Sequence, residues 1–120
     1  MISNSFVFFD GSKSTEQISN ECITGNTAGG IMLTVEGNSP GVTPGSISFQ
    51  LEGCVDLEAK KKGVENWFPI SVVNMSDFNT VEEIVSEGLF FGIFPGTNRI
   101  RCKSSVAIDP NLKVYASILE

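Results

Sequence analysis

Ser46-Ile47-Ser48-Phe49-Gln50-Leu51-Glu52, running on through Gly53-Cys54-Val55-Asp56 to Asn66-Trp67-Phe68-Pro69, is the stretch that decides the fold. Ile47, Phe49 and Leu51 fall on one side of an extended chain, and Ser48, Gln50 and Glu52 on the other. A period of two is the mark of a strand with one face buried against a second layer. The same pattern recurs on both sides. Ile31, Leu33 and Val35 alternate within Ile31–Glu36, and Leu112, Val114, Ala116 and Ile118 alternate within the last strand, Leu112–Leu119.

Strands are also expected over Ser5–Phe9, about Ile18–Thr24, Asn66–Val73, Val81–Val85, Leu89–Phe94 and Asn98–Ser104. Between them lie turn signals: Asp10-Gly11, Gly25 to Gly30, the Pro40/Pro44 loop, Met75 to Asn79, Pro95-Gly96-Thr97-Asn98 and Asp109-Pro110-Asn111. Gly92 marks a bulge or a close backbone approach. Eight or nine short strands without a convincing amphipathic helix read as an all-β protein. The expected architecture is an antiparallel β-sandwich, jelly-roll or immunoglobulin-like, rather than a barrel.

The 120 residues are one domain by length, 1–120, with residues 1–17 an extended N-terminal arm or an edge strand. Charged residues make up 18% and hydrophobic residues 41%, which excludes disorder, and no apolar run reaches the roughly 20 residues of a spanning helix. The first residues lack a basic segment ahead of a long apolar core, so no secretory leader and a cytoplasmic site of synthesis are expected. A net charge of −6 argues against a nucleic-acid binder, which needs cations to displace phosphate counterions. Neither nucleic acid nor membrane is an expected partner.

Cys22, Cys54 and Cys102 are odd in number, lack CxxC spacing and have no histidine to complete a zinc site. Buried reduced thiols are expected, with a disulfide as the alternative. Asp10, Asp56 and Asp77 could lend oxygens to calcium, but each reads better as a turn residue bonding its own backbone. No histidine base, nucleophile elbow or phosphate loop is present, and no spacing singles out a carboxylate pair. The chain reads as a non-enzyme without cofactor or metal.

Three features stand out as binding candidates. Phe6, Phe8 and Phe9 lie in a strand apolar on both faces, with Phe6 and Phe8 on one side and Val7 and Phe9 on the other. That strand is either core or an interface. Arg99, Arg101 and Lys103 stand about 7 Å apart along one strand face and could grip a carboxylate-rich partner. The plainer reading pairs them across strands with Glu52, Glu82 or Glu87. Trp67 is a core plug, a rim residue or a platform for a sugar ring. The Lys60-Lys61-Lys62 run, flanked by acidic residues, reads as a solvated loop tip.

Phe9-Asp10-Gly11, the run Ser48 to Asp56 leading to Asn66-Trp67-Phe68-Pro69-Ile70, and Gly88-Leu89-Phe90 leading to Pro95-Gly96 and Arg99-Ile100-Arg101 together resemble small β-sandwich virion proteins of tailed bacteriophages. Cys54 stands where serine is usual, Phe90 where tyrosine is common, and the Leu57 to Glu65 loop is longer than the pattern. The resemblance implies a structural protein of the virion, most directly a capsid decoration protein bound to the major capsid protein as a homo-oligomer. Phe6, Phe8, Phe9, Arg99, Arg101 and Lys103 are then the expected docking residues. The alternatives are a tail, tail-tube, head-completion or baseplate component, or a module that contacts host surface glycans through Trp67.

Overall fold

The computed structural model describes residues 3–10, 17–37, 47–55, 67–104 and 112–119, and all regular structure among them is strand. Nine strands follow in chain order: β1 (Ser3–Asp10), β2 (Cys22–Glu36), β3 (Phe49–Cys54), β4 (Trp67–Ile70), β5 (Val72–Asn74), β6 (Thr80–Val81), β7 (Glu83–Ile84), β8 (Gly88–Ser104) and β9 (Lys113–Leu119). All their pairings are antiparallel. No described helix is long and apolar enough to cross a membrane.

Two strands belong to both layers of the sandwich. The C-terminal half of β2 pairs with β9 and with the N-terminal half of β8, β9 pairs with β1, and β5 and β6 extend the other edge of β8. The N-terminal half of β2 pairs with the C-terminal half of β8, whose other edge carries β3 and then β4 and β7. The β2–β8 ribbon therefore bends from the first layer, β1-β9-β2-β8-β5-β6, into the second, β2-β8-β3 with β4 and β7. An edge-to-face contact between Phe9 of the first layer and Phe49 of the second, 6.1 Å between ring centroids, shows the two inner faces meeting.

This bend corrects two expectations. Gly25 to Gly30 and Pro95 to Asn98 are not turns between strands but irregularities within long ones. Gly29 pairs with Phe94 and Thr27 with Thr97, so one residue of β2 opposes Pro95 and Gly96 of β8. That two-against-one count is a β-bulge, and proline is tolerated there because no ladder donor is needed. The broken ladder is repaired by side chains: the buried Thr24 hydroxyl donates to the Thr97 carbonyl and lies 3.2 Å from the Thr97 hydroxyl. Gly29 fits for a steric reason, since a Cβ at this position would clash with the Leu119 carbonyl oxygen.

A second bulge lies in β1, where Val7 pairs with Tyr115 and Phe9 with Val114, leaving Phe8 extra. Phe8 and Phe9 consequently both point inward and are buried, instead of dividing between two faces. The core they join holds Ile31, Leu33, Val35, Ile47, Phe49, Leu51, Phe90, Phe94, Ile100 and the inward residues of β9. Other boundaries differ too. Asn66–Val73 is broken at Ser71 into β4 and β5, Val81–Val85 gives way to the two-residue strands β6 and β7, and Ile18 makes an isolated bridge to Lys103 ahead of β2. Gly92 is a close approach, its hypothetical Cβ 3.1 Å from the Val72 side chain. The Lys60-Lys62 run and Asp56 lie outside the described residues.

The three cysteines are free thiols. Cys102 is fully buried in the core, and burial, reinforced by the Glu52 charge, pushes its thiol well above the ordinary value.

Replacing Gly29 with alanine drives a methyl group into backbone, so a loss of about 1–3 kcal/mol is expected as a lower urea midpoint. Gly30→Ala meets only the Phe91 ring, at 3.0 Å, and should cost less. For Cys102 the folded state holds the thiol proton more tightly than the unfolded chain. Its stabilising effect is complete below about pH 8.5, the unfolded value, and is lost as pH rises beyond it. Urea midpoints should accordingly decline from about pH 8 to 10, with a shallower decline in Cys102→Ala.

Candidate interaction surface

The outward face of the second layer collects most of the chemistry that the sequence singles out. On β8 the alternation places Ile100, Cys102 and Ser104 inside and Arg99, Arg101 and Lys103 outside. Register then aligns three rows across the strands. Arg99 lies opposite Cys54, which lies opposite Trp67; Arg101 lies opposite Glu52, which lies opposite Pro69; Lys103 lies opposite Gln50, which lies opposite Glu83.

The arginines do not stand free. Arg99 is buried, donating from Nη1 to Glu21 Oε1 at 2.8 Å and from Nη2 to Cys54 Sγ at 3.6 Å. Burial opposes its charge, but the hydrogen bonds it donates to Glu21 and Cys54 outweigh that penalty and leave its pKa raised. Arg101 donates from Nε to Glu52 Oε1 at 3.0 Å, both side chains being only 11% exposed. The Trp67 ring covers both cations, with the guanidinium carbons 3.8 Å (Arg101) and 4.9 Å (Arg99) from its centroid.

These contacts pair two of the three cations within the chain. Cross-strand pairing with Glu52, the plainer sequence reading, holds for Arg101, and Arg99 takes Glu21, a partner that the strand alternation does not point to. Glu52, expected on a solvated face, is 8% exposed because Arg101 and the neighbouring strands cover it. Arg99 and Arg101 meet Glu21 and Glu52, and Glu83 lines the same groove as Lys103, so cations and carboxylates are matched in number on this face. Only Lys103 is exposed, beside a groove of about 160 Å³ lined by Gln50, Glu52 and Glu83.

The aromatic candidates divide likewise. Phe8 and Phe9 are core, while Phe6 is half-buried with its ring 5.0 Å from that of Phe8. Trp67 is half-buried, and a sugar ring would have to displace Arg101 from the ring face that it covers. Asp77 bonds its own backbone, accepting from the Asn79 amide, as expected of a turn residue. Among the described residues no cluster of three histidine, cysteine or acidic side chains could hold a metal.

The buried pairing has a measurable cost when broken. Arg99→Ala removes the buried guanidinium and opens space under Trp67, while water solvates the exposed Glu21, so a loss of about 2 kcal/mol from packing is expected. Arg101→Lys keeps the charge but forfeits the planar stack, with about 1 kcal/mol lost. Urea unfolding followed by the fluorescence of Trp67, the single tryptophan, reads both.

The chain matches no protein-family model and no curated protein. Its fold is similar to that in the crystal structure of the SPBc2 prophage-derived protein YomS, with a TM-score of 0.71 at 13% sequence identity, over 99% of this chain and 94% of that one.

Proposed function

We propose that this chain is a structural protein of a bacteriophage particle, a capsid decoration protein that binds the major capsid protein and reinforces its lattice. The observation that carries the reading is the end-to-end likeness to a prophage-derived protein, 99% of this chain at a TM-score of 0.71. The sequence pattern leading to Trp67-Phe68-Pro69 and Arg99-Ile100-Arg101 supports the same class through its resemblance to virion sandwiches. Its activity is assembly, not catalysis, and it acts on the virion without nucleic acid, membrane or cofactor.

The docking residues are fewer than the sequence nominates. Arg99, Phe8 and Phe9 hold the domain together, so an Arg99→Glu variant tests folding and not docking. Lys103 and the exposed rim of the Arg101–Trp67 row are the part of that face a capsid protein can reach.

Quantitative mass spectrometry of purified particles of the encoding phage gives the chain's copy number relative to the major capsid protein. A ratio approaching one to one, on the order expected for a decorated lattice, is the predicted result. A ratio many-fold lower overturns decoration in favour of a tail or baseplate component, and absence from particles overturns the virion reading.

A further inference from the structure

Solvated faces of antiparallel sheets are ordinarily polar, and the outward face of the first layer is not. On β8 Phe90, Gly92 and Phe94 point inward, leaving Leu89, Phe91 and Ile93 to point out; Leu89 is 48% and Ile93 72% exposed. Register extends this apolar strip sideways. Met32 and Val73 flank Phe91 on β2 and β5, and Met75, whose amide donates to the Leu89 carbonyl at 2.9 Å, lengthens the strip beyond β5. On the other side of the same face, Val7, Met32, Thr34 and Tyr115 line a shallow hollow of about 510 Å³.

We propose that this face is a self-association surface, on which a second copy of the chain packs face to face about a two-fold axis parallel to the strands over β2. Such a rotation exchanges β8 with β9, so the protruding Leu89 of each copy enters the hollow beside Tyr115 of the other. A self-complementary knob and hollow on one surface is what an isologous interface requires.

Shape and area, not charge, select a second copy: the axis over β2 sets the exposed Glu36 of each copy against its mate, with Lys113 beside it on β9. Five strands about 4.8 Å apart and three outward rows about 6.8 Å apart outline roughly 500 Å² per copy. The total of about 1,000 Å² is the lower bound for a specific interface, which sets a weak, concentration-dependent dimer.

Sedimentation velocity on the full chain, from about 1 to about 200 µM, tests this directly. Because each copy carries a net charge of −6, the dimer should tighten as salt rises from about 0.05 to about 0.5 M, the reverse of an association driven by ion pairs. Leu89→Thr with Ile93→Thr should raise the dissociation constant at least about tenfold. Both side chains are exposed, so the thermal unfolding of the monomer should hold. Ile23→Thr, an equally exposed apolar residue on the β2 segment of the opposite layer, leaves the charge unaltered and should leave dimerisation unchanged. A wild-type chain that stays monomeric at the highest concentration and salt overturns the proposal, as does a dimer indifferent to the Leu89/Ile93 double substitution.

Discussion

The fold depends on one tight crossing. β2 and β8 must run side by side through both layers, and where they bend, Gly29 lies so near the Leu119 carbonyl that no side chain fits between them. The bulge opposite, at Pro95-Gly96, supplies the extra residue that lets β8 turn with its partner. Thr24 and Thr97 then satisfy, from side chains, polar groups that the interrupted ladder leaves buried. With this corner in place each layer has its central pair of strands, and β1, β9, β3, β4 and β5 add outward from them. A sandwich made this way has its layers covalently continuous at the centre, so the β2–β8 ribbon itself ties one inner face to the other.

β8 carries a division of labour along its length. Its inward positions are apolar from Phe90 to Phe94 and again at Ile100 and Cys102, with the buried Thr97 between them, whereas its outward positions change from Leu89, Phe91 and Ile93 before the bulge to Arg99, Arg101 and Lys103 after it. The change follows the layers. Outward residues of the first half lie among Met32, Val73 and Tyr115, and outward residues of the second half lie among Glu52, Cys54 and Trp67. Burying the Arg99 and Arg101 guanidinium groups would be costly without partners. Glu21, Glu52 and the face of Trp67 together offset that cost, and the fixed geometry of the pairs helps set the register of β3 against β8.

Sequence reading recovered what depends on alternation and missed what depends on the partner strand. Ile47, Phe49 and Leu51 are inward as the period of two requires, and so are Ile31, Leu33, Val35 and the β9 set. Glycine and proline mislead because a turn and a bulge need the same backbone freedom and the same missing donor. Only the number of residues on the opposing strand separates them, and that number is absent from the local sequence. Phe8 and Phe9 fail for the same reason, since one extra residue in β1 shifts the alternation by a step. The site was legible as composition, with three cations and one tryptophan, but not as geometry. Arg99 finds Glu21 across the β2 edge of β8, and Glu21 precedes β2, where strand alternation offers no guide to its direction.

The separation of the two outward faces has a consequence for assembly. An apolar face and a charge-balanced face on opposite layers cannot both be satisfied by one small contact, because the core lies between them. A contact on the first layer would leave Lys103 and the Trp67 row accessible, and a contact on the second would leave Leu89 and Ile93 accessible. Their salt responses differ as well. Screening weakens an attraction carried by Lys103, while it relieves the repulsion between two chains of charge −6 that meet through apolar side chains. A chain built this way has room for a separate contact on each layer, and ionic strength acts on the two kinds of contact in opposite directions.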